Sequence, residues 1–391
     1  MDTPTDLYLD HLATSPMLPC AVAAMRPWLT QYFANPASPH GAGLQVRQAC
    51  ETARARVAAL LGCRPAEVVF TASGTEAINM AIKGIVIATL MRGGPKRVLI
   101  TPIEHTATRA ACDYLARIHA VTIETIAVSA EGLVDLDDLE RRLQRPAALC
   151  SIVWANHEVG TIQPIEAIAA LTQRAHVPLH IDAVQAVAWL QPPLATVPIT
   201  ALSLSGHKFG AGKGIGALVI RSDCAIEPLI HGGQQERRLR GGTHAVANII
   251  AMAEALSYIH AERWPHAAAV AALRDALIAR VLAIYPGAQL TGHPSARLPG
   301  HASFLFPPIH ADAIRQALEF HGLICSSASA CGPQNQPSSA LLALGLPPHL
   351  AESAIRFGLP ADLSADMVSV IVQRIAMALA DVTTIQPEAV E

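Results

Sequence analysis

Between residues 60 and 220 short apolar runs alternate with amphipathic stretches, so the two hydrophobic periods mark strands and helices in turn. Val68-Val-Phe-Thr71 predicts a strand, and the run at 77–88 predicts the helix after it. Val98-Leu-Ile-Thr101 predicts another strand, ending at Pro102-Ile-Glu-His105 with a helix from Thr106. Strands are expected again at 121–128, 148–155 and 177–181. A strand at 201–205 then runs through Gly206-His-Lys208 into a glycine-rich turn, and 217–220 predicts the strand that leaves it. Strands alternating with helices argue for an α/β fold with a largely parallel sheet, its site at the carboxyl ends of the strands.

Past about residue 255 the pattern changes. A long helical region at 249–284 leads to Ala302-Ser-Phe-Leu-Phe306, a helix at 311–321, Leu323-Ile-Cys325 and a last helix at 365–379. This predicts a second, smaller α+β domain. The expected division is a large domain at 16–255, with 1–15 and 256–391 forming the small one.

Composition narrows the class. The chain has 391 residues, 51% hydrophobic and 15% charged, with a net charge of -3, enough for a large core and without a basic patch for nucleic acid. No run is expected to span a membrane, since Lys83 interrupts the most apolar one at 77–91. The start Met-Asp-Thr-Pro-Thr-Asp lacks a basic region for a secretory signal, so the cytoplasm is the expected compartment. The eight cysteines are dispersed without a C-x-x-C pair, which argues against a metal site or a disulfide framework.

The chemistry starts with lysine. There are four: Lys83 in an amphipathic helical run, Lys96 in a Gly-Gly-Pro turn, Lys213 inside the glycine turn, and Lys208 at a strand end. A lysine held there between tight turns suits a Schiff base with a carbonyl cofactor such as pyridoxal phosphate. The glycines do not make a Walker loop, because Gly214 rather than Ser or Thr follows Lys213. Ser73-Gly-Thr-Glu76, between a strand and a helix, reads either as an anion site or as an ordinary helix cap. His105, Asn156, His157, Asp182 and Gln185 all sit just past predicted strand ends. Asp182 reads either as the carboxylate for a pyridine nitrogen or as a helix cap.

Ser205-Gly-His-Lys208 followed by Gly-x-Gly-Lys-Gly-Ile-Gly-Ala-Leu218 resembles the cofactor-lysine segment of the cysteine desulfurases, pyridoxal-phosphate enzymes of aminotransferase class V. Tyr8-Leu-Asp10 and Ala13-Thr-x-Pro16 resemble the family's start, and Ser326-Ser-Ala-Ser-Ala-Cys331 its catalytic-cysteine loop. The resemblance implies the PLP fold type I, with a mostly parallel seven-stranded sheet and a smaller α+β domain. It implies Lys208 as the cofactor lysine and base, Cys331 as the thiol that takes sulfur from L-cysteine to leave L-alanine, and His105 for ring stacking and proton movements. Asp182 would hold the pyridine nitrogen and Gln185 the phenolic oxygen. Gly74, Thr75, Ser205 and His207 would surround the phosphate, with Thr243 reaching it from the partner subunit of a homodimer. Asn35 and Arg356 would meet the substrate, and a protein would accept the sulfur.

Three features depart from the family. Asn156-His157-Glu158 stands where Asn-Asn-Glu is usual, leaving open which of Asn156 and His157 faces the cofactor. The cysteine loop is one residue shorter, and Ala328 stands where glycine is common. A selenocysteine lyase, another class V aminotransferase or lyase, and a non-catalytic sulfur-relay scaffold remain alternatives at this level.

Overall fold

The computed structural model describes residues 6–327 and 337–385. Strand β1 (Leu7–Tyr8) comes first, and a seven-stranded sheet follows from β2 (Val68–Thr71), β3 (Arg97–Ile100), β4 (Thr122–Thr125), β5 (Leu149–Val153), β6 (Leu179–Asp182), β7 (Ala201–Ser205) and β8 (Gly216–Ile220). Their order is β2-β8-β7-β6-β5-β3-β4. Only β8 runs antiparallel to its neighbours, because the glycine turn sends it straight back beside β7. The other pairs are parallel.

Period two decides which side each residue buries. Val68, Phe70, Leu202, Leu204, Ala217 and Val219 enter one core with the helix Gly41–Leu61 and the helix Val246–Tyr258. Their chain neighbours Val69, Ala201, Leu218 and Ile220 enter the other, under the helices Gly74–Met91 and Thr106–His119. A sheet covered on both faces is buried along its strands, and only the edge strand β4, with Thr122 and Thr125 exposed, breaks that burial. The polar Ser151, His180 and Ser203 on β5, β6 and β7 hydrogen-bond to one another. The helices Gly74–Met91 and Ala365–Ile385 have the length and apolar character of a membrane span. Gly74–Met91 instead packs on β7, β8 and the helix Thr106–His119, as a core helix does.

The remaining strands form two small sheets. β9 (Gln289–Leu290), β10 (His301–Leu305), β12 (Ser326–Ser327) and β13 (Ala354–Gly358) make one, in the order β12-β13-β10-β9. β11 (Leu323–Ile324) pairs in parallel with β1, which ties the start of the chain to this later part. The helical region expected at 249–284 is two helices, Val246–Tyr258 and Trp264–Ile284, joined by a single π turn at Ile259–Arg263. Pro265 lacks the N–H for a regular turn and its ring crowds the carbonyl four residues back, which accounts for the widening there.

Candidate active site

Five strands of the large sheet end around one cavity of about 270 Å³. Ser73, Gly74 and Thr75 reach it from the end of β2, His105 from β3, His157 from β5, Asp182 and Gln185 from β6, and Ser205, His207 and Lys208 from β7. Arg356 enters from β13, so the two sheets share the site.

Lys208 ends a tight turn, Gly206–Lys208, in which a Cβ on Gly206 would lie 2.6 Å from Ile215. Its Nζ donates to the carbonyls of Leu12 at 2.7 Å and Ala13 at 2.9 Å. Gln185 Nε2 donates to the same Leu12 carbonyl at 2.9 Å. The other lysines lie elsewhere: Lys83 sits over the Tyr114 ring, and Lys96 and Lys213 are exposed.

Asp182 is the last residue of β6 and only 3% exposed. Burial pushes its carboxyl up to about 6, against the lowering effect of the Val184 N–H and the Lys208 charge. At neutral pH it is still mainly an anion. Its Oδ1 accepts from Val184 N at 3.0 Å, so it also caps the turn that follows.

His105 is the N-cap of its helix. Its Nδ1 accepts from Ala107 N at 3.1 Å, which leaves the proton of a neutral ring on Nε2. Burial, with Lys208 and Arg109 nearby, lowers it to about 4. The His157 ring lies edge-on to it, 5.4 Å between centroids. His157 is buried and held well below the usual histidine range, so both rings are neutral hydrogen-bonding groups.

The Asn156–His157 ambiguity resolves geometrically. Asn156 Nδ2 donates to Ile103 O, and its Oδ1 accepts from the backbone of Glu158 and Val159. Its side chain is spent on the turn and does not line the cavity. His157 does.

Ser73 Oγ accepts from Glu76 N at 3.1 Å and Glu76 returns a bond from Ala72 N, so this stretch caps its helix. Gly74 and Thr75 remain for an anion. A Cβ on Gly74 would come within 2.8 Å of Val184 and 3.0 Å of Ser205, and its absence lets the helix start press against the cavity. His207 Nδ1 lies 3.2 Å from Thr14 Oγ1 on the same side.

Arg356 is buried. It donates to His157 O at 3.1 Å and to Asp10 Oδ1 at 3.2 Å, while its Nε has no hydrogen-bond partner. Asn35 and Thr243 do not line the cavity and both are exposed. Thr243 follows a strained segment, with Glu236, Arg237 and Arg238 at φ 46, 56 and 68. Glu236 is pinned there by a paired bond with Arg54 and by Phe70 N.

Cys331 lies outside the described residues. The segments on either side of it reach the site. Ser326 pairs with Arg356 across β12 and β13, and Ser338 Oγ donates to Glu158, next to His157. Cys325 is buried and its thiol is pushed up to about 12. Among the described residues no group of histidines, cysteines and carboxylates could hold a metal ion.

Glu104 is a residue that spacing alone passes over, as one acid in a turn beside His105. It is buried and pushed up to about 8, with Thr101 Oγ1 and Val153 N on Oε1 and nothing on Oε2. An acid raised above its unfolded value binds an extra proton on folding. Its contribution is complete below about pH 4.5 and disappears as pH rises through about 8. Urea unfolding of wild type is therefore expected to lose on the order of a few kcal/mol between pH 5 and 8.5 from this group. Glu104→Gln should flatten that part of the profile, and identical profiles would overturn the assignment.

The aminotransferase class-V family model matches residues 7–370. An IscS-like cysteine desulfurase of Mycobacterium tuberculosis is 38% identical, over 90% of this chain and 91% of its own length. The cysteine desulfurase IscS of Dictyoglomus turgidum is 36% identical, over 90% and 89%. Among solved structures, a NifS-like protein superposes with a TM-score of 0.89 at 30% identity, covering 96% of this chain and 100% of its own. SspA in complex with cysteine matches with a TM-score of 0.80 at 30% identity, covering 91% and 99%. With its lysine at the end of β7, its buried aspartate at the end of β6 and its arginine on β13, the chain belongs to the cysteine desulfurases of the class-V aminotransferase family.

Proposed function

We propose that this chain converts L-cysteine to L-alanine with pyridoxal phosphate held on Lys208, and keeps the sulfur as a persulfide on Cys331 for transfer to an acceptor protein. The observation that carries the reading is the placing of Lys208, Asp182 and Arg356 on one cavity.

The residues present fit the cofactor. Gly74, Thr75, Ser205 and His207 leave a cradle for its phosphate, Asp182 offers a buried carboxylate for a pyridinium, and His105 and His157 offer flat rings beside it. Pyridoxal phosphate bound here supplies an electron sink for the bond to the amino acid's Cα.

The chain's own groups do the rest. The unpartnered Nε of Arg356 and its fork-shaped head suit the substrate carboxylate. Lys208 Nζ takes and returns the Cα proton. Neutral His105, its proton on Nε2, offers that N–H as a hydrogen-bond donor toward the substrate sulfur, and proton movement through it requires the ring to pass through the imidazolium. The Cys331 thiolate is the nucleophile toward that sulfur.

The exposed Thr243, beside a pinned and strained segment, supports its reaching the site of a second copy, and with it a homodimer. The cytoplasm is the proposed compartment. The large and small domains are proposed to divide at 15/16 and 255/256. Mass spectrometry after brief exposure to L-cysteine tests the function: one extra sulfur atom on the Cys331 peptide, with alanine released, is expected. Alanine without added sulfur on any cysteine would refute it.

Asp182→Asn keeps the shape and removes the charge. It is expected to weaken cofactor binding and slow Cα-proton exchange by about 100-fold or more. Cofactor titration and deuterium exchange into alanine measure the two effects, and unchanged exchange would leave Asp182 only as the cap of its turn.

A further inference from the structure

A second cavity, of about 410 Å³, lies between the segment after β1 and the π turn. A narrow pocket of about 20 Å³, room for one water, joins it to the active site. This pocket shares His11, Ser15 and Arg263 with the second cavity, and Leu12, Gln185 and Lys208 with the first.

Arg263 is the unusual group here. The π turn delivers it to the cavity, with its guanidinium 5.5 Å from the Trp189 ring centre. Its Nε is buried without a partner, and its guanidinium makes no hydrogen bond or ion pair to any described residue. Arg54, Arg97, Arg274, Arg297 and Arg356, the fully buried arginines, each donate to carbonyls or carboxylates. A sheltered guanidinium with no acceptor is set up for a carboxylate from outside the chain.

The rim carries the opposite sign. Glu262 and Asp362 line the same cavity, both exposed, and neither carboxylate closes an ion pair with Arg263 or any other described residue. A cation in the floor and two anions at the rim that are not paired with it match a small molecule that bears both charges.

We propose that this cavity is a second binding site for a small α-amino acid, with its carboxylate on Arg263 and its ammonium toward Asp362 and Glu262. Taking alanine as its natural occupant rests on the desulfurase reading. The site borders the segment that holds the catalytic lysine. His11 and Ser15 flank Leu12 and Ala13, whose carbonyls accept from Lys208 Nζ, and Ser15 N donates to His207 O. A ligand against His11 and Ser15 would thus be felt at Lys208.

Equilibrium dialysis of the cofactor-loaded enzyme with labelled L-alanine tests this by counting sites. Two per chain are expected. Arg356→Gln should remove one and leave the other. Arg263→Gln should remove the other, and Asp362→Asn should weaken that site for alanine about tenfold while leaving propionate, which lacks the ammonium, unaffected. A wild type with one site that Arg356→Gln abolishes would overturn the proposal. Should Arg263→Gln fail to fold, Asp362→Asn at its exposed position decides: unchanged alanine affinity overturns the site. Failure to make alanine from cysteine would sink the desulfurase reading without altering the Arg263-dependent count.

Discussion

Lys208→Ala is expected to reduce alanine formation from L-cysteine by about 10,000-fold or more, since it removes both the cofactor linkage and the group that moves the Cα proton. No neighbour can stand in. Lys83 is engaged with the Tyr114 ring and Lys213 lies exposed in the glycine turn, and neither lines the active-site cavity. The fold should survive, because Lys208 is a partly buried side chain facing a cavity, and its Nζ donates to the loop carbonyls of Leu12 and Ala13. Borohydride reduction of the wild-type protein followed by peptide mapping checks the assignment separately from activity. Label on Lys208 is expected, and label on Lys213 or Lys83 would overturn it.

Cys331→Ser should still bind L-cysteine but release alanine about 1,000-fold more slowly, because a hydroxyl is a poor nucleophile toward sulfur and cannot hold it as a persulfide. Cys325, six positions earlier, is no substitute. Burial pushes its thiol up to about 12, which disfavours the thiolate at neutral pH. Alanine release and the mass of the cysteine peptides are the readouts. Wild-type rates in Cys331→Ser, or added sulfur on Cys325 in the wild-type protein, would rule out Cys331 as the acceptor. A selenocysteine lyase would instead keep selenide release in this variant, since a selenolate leaves more easily, so assaying both substrates separates the two activities.

Much of the site was legible because its parts lie in local patterns. A strand that runs into a glycine turn can be read from a few consecutive residues, and with four lysines in the chain position alone singled out Lys208. His105, Asp182 and Gln185 were legible for the same reason, as polar residues just past apolar runs. The parallel sheet followed from the alternation of periods, although strand limits did not. Thr122–Thr125 is shorter than expected, and Asp182 belongs to its strand rather than following it.

What the sequence by itself determined is the order of strands and helices, the sheltered faces and the residues at the strand ends, because these depend on neighbours a few positions apart. Only the tertiary structure decided which of those residues share a cavity. It turned Asn156 into its own loop and His157 toward the site, used Ser73 as a cap, and left Asn35 and Thr243 outside. It also supplied partners that no local pattern announces. Leu12 holds Lys208 across 196 positions, Asp10 pairs with Arg356 across 346, and the π turn carries Arg263 to a cavity walled by the start of the chain. The physical reason is that periodicity reports which face of an element is buried, whereas hydrogen bonds and cavities depend on which distant surfaces the packing brings together.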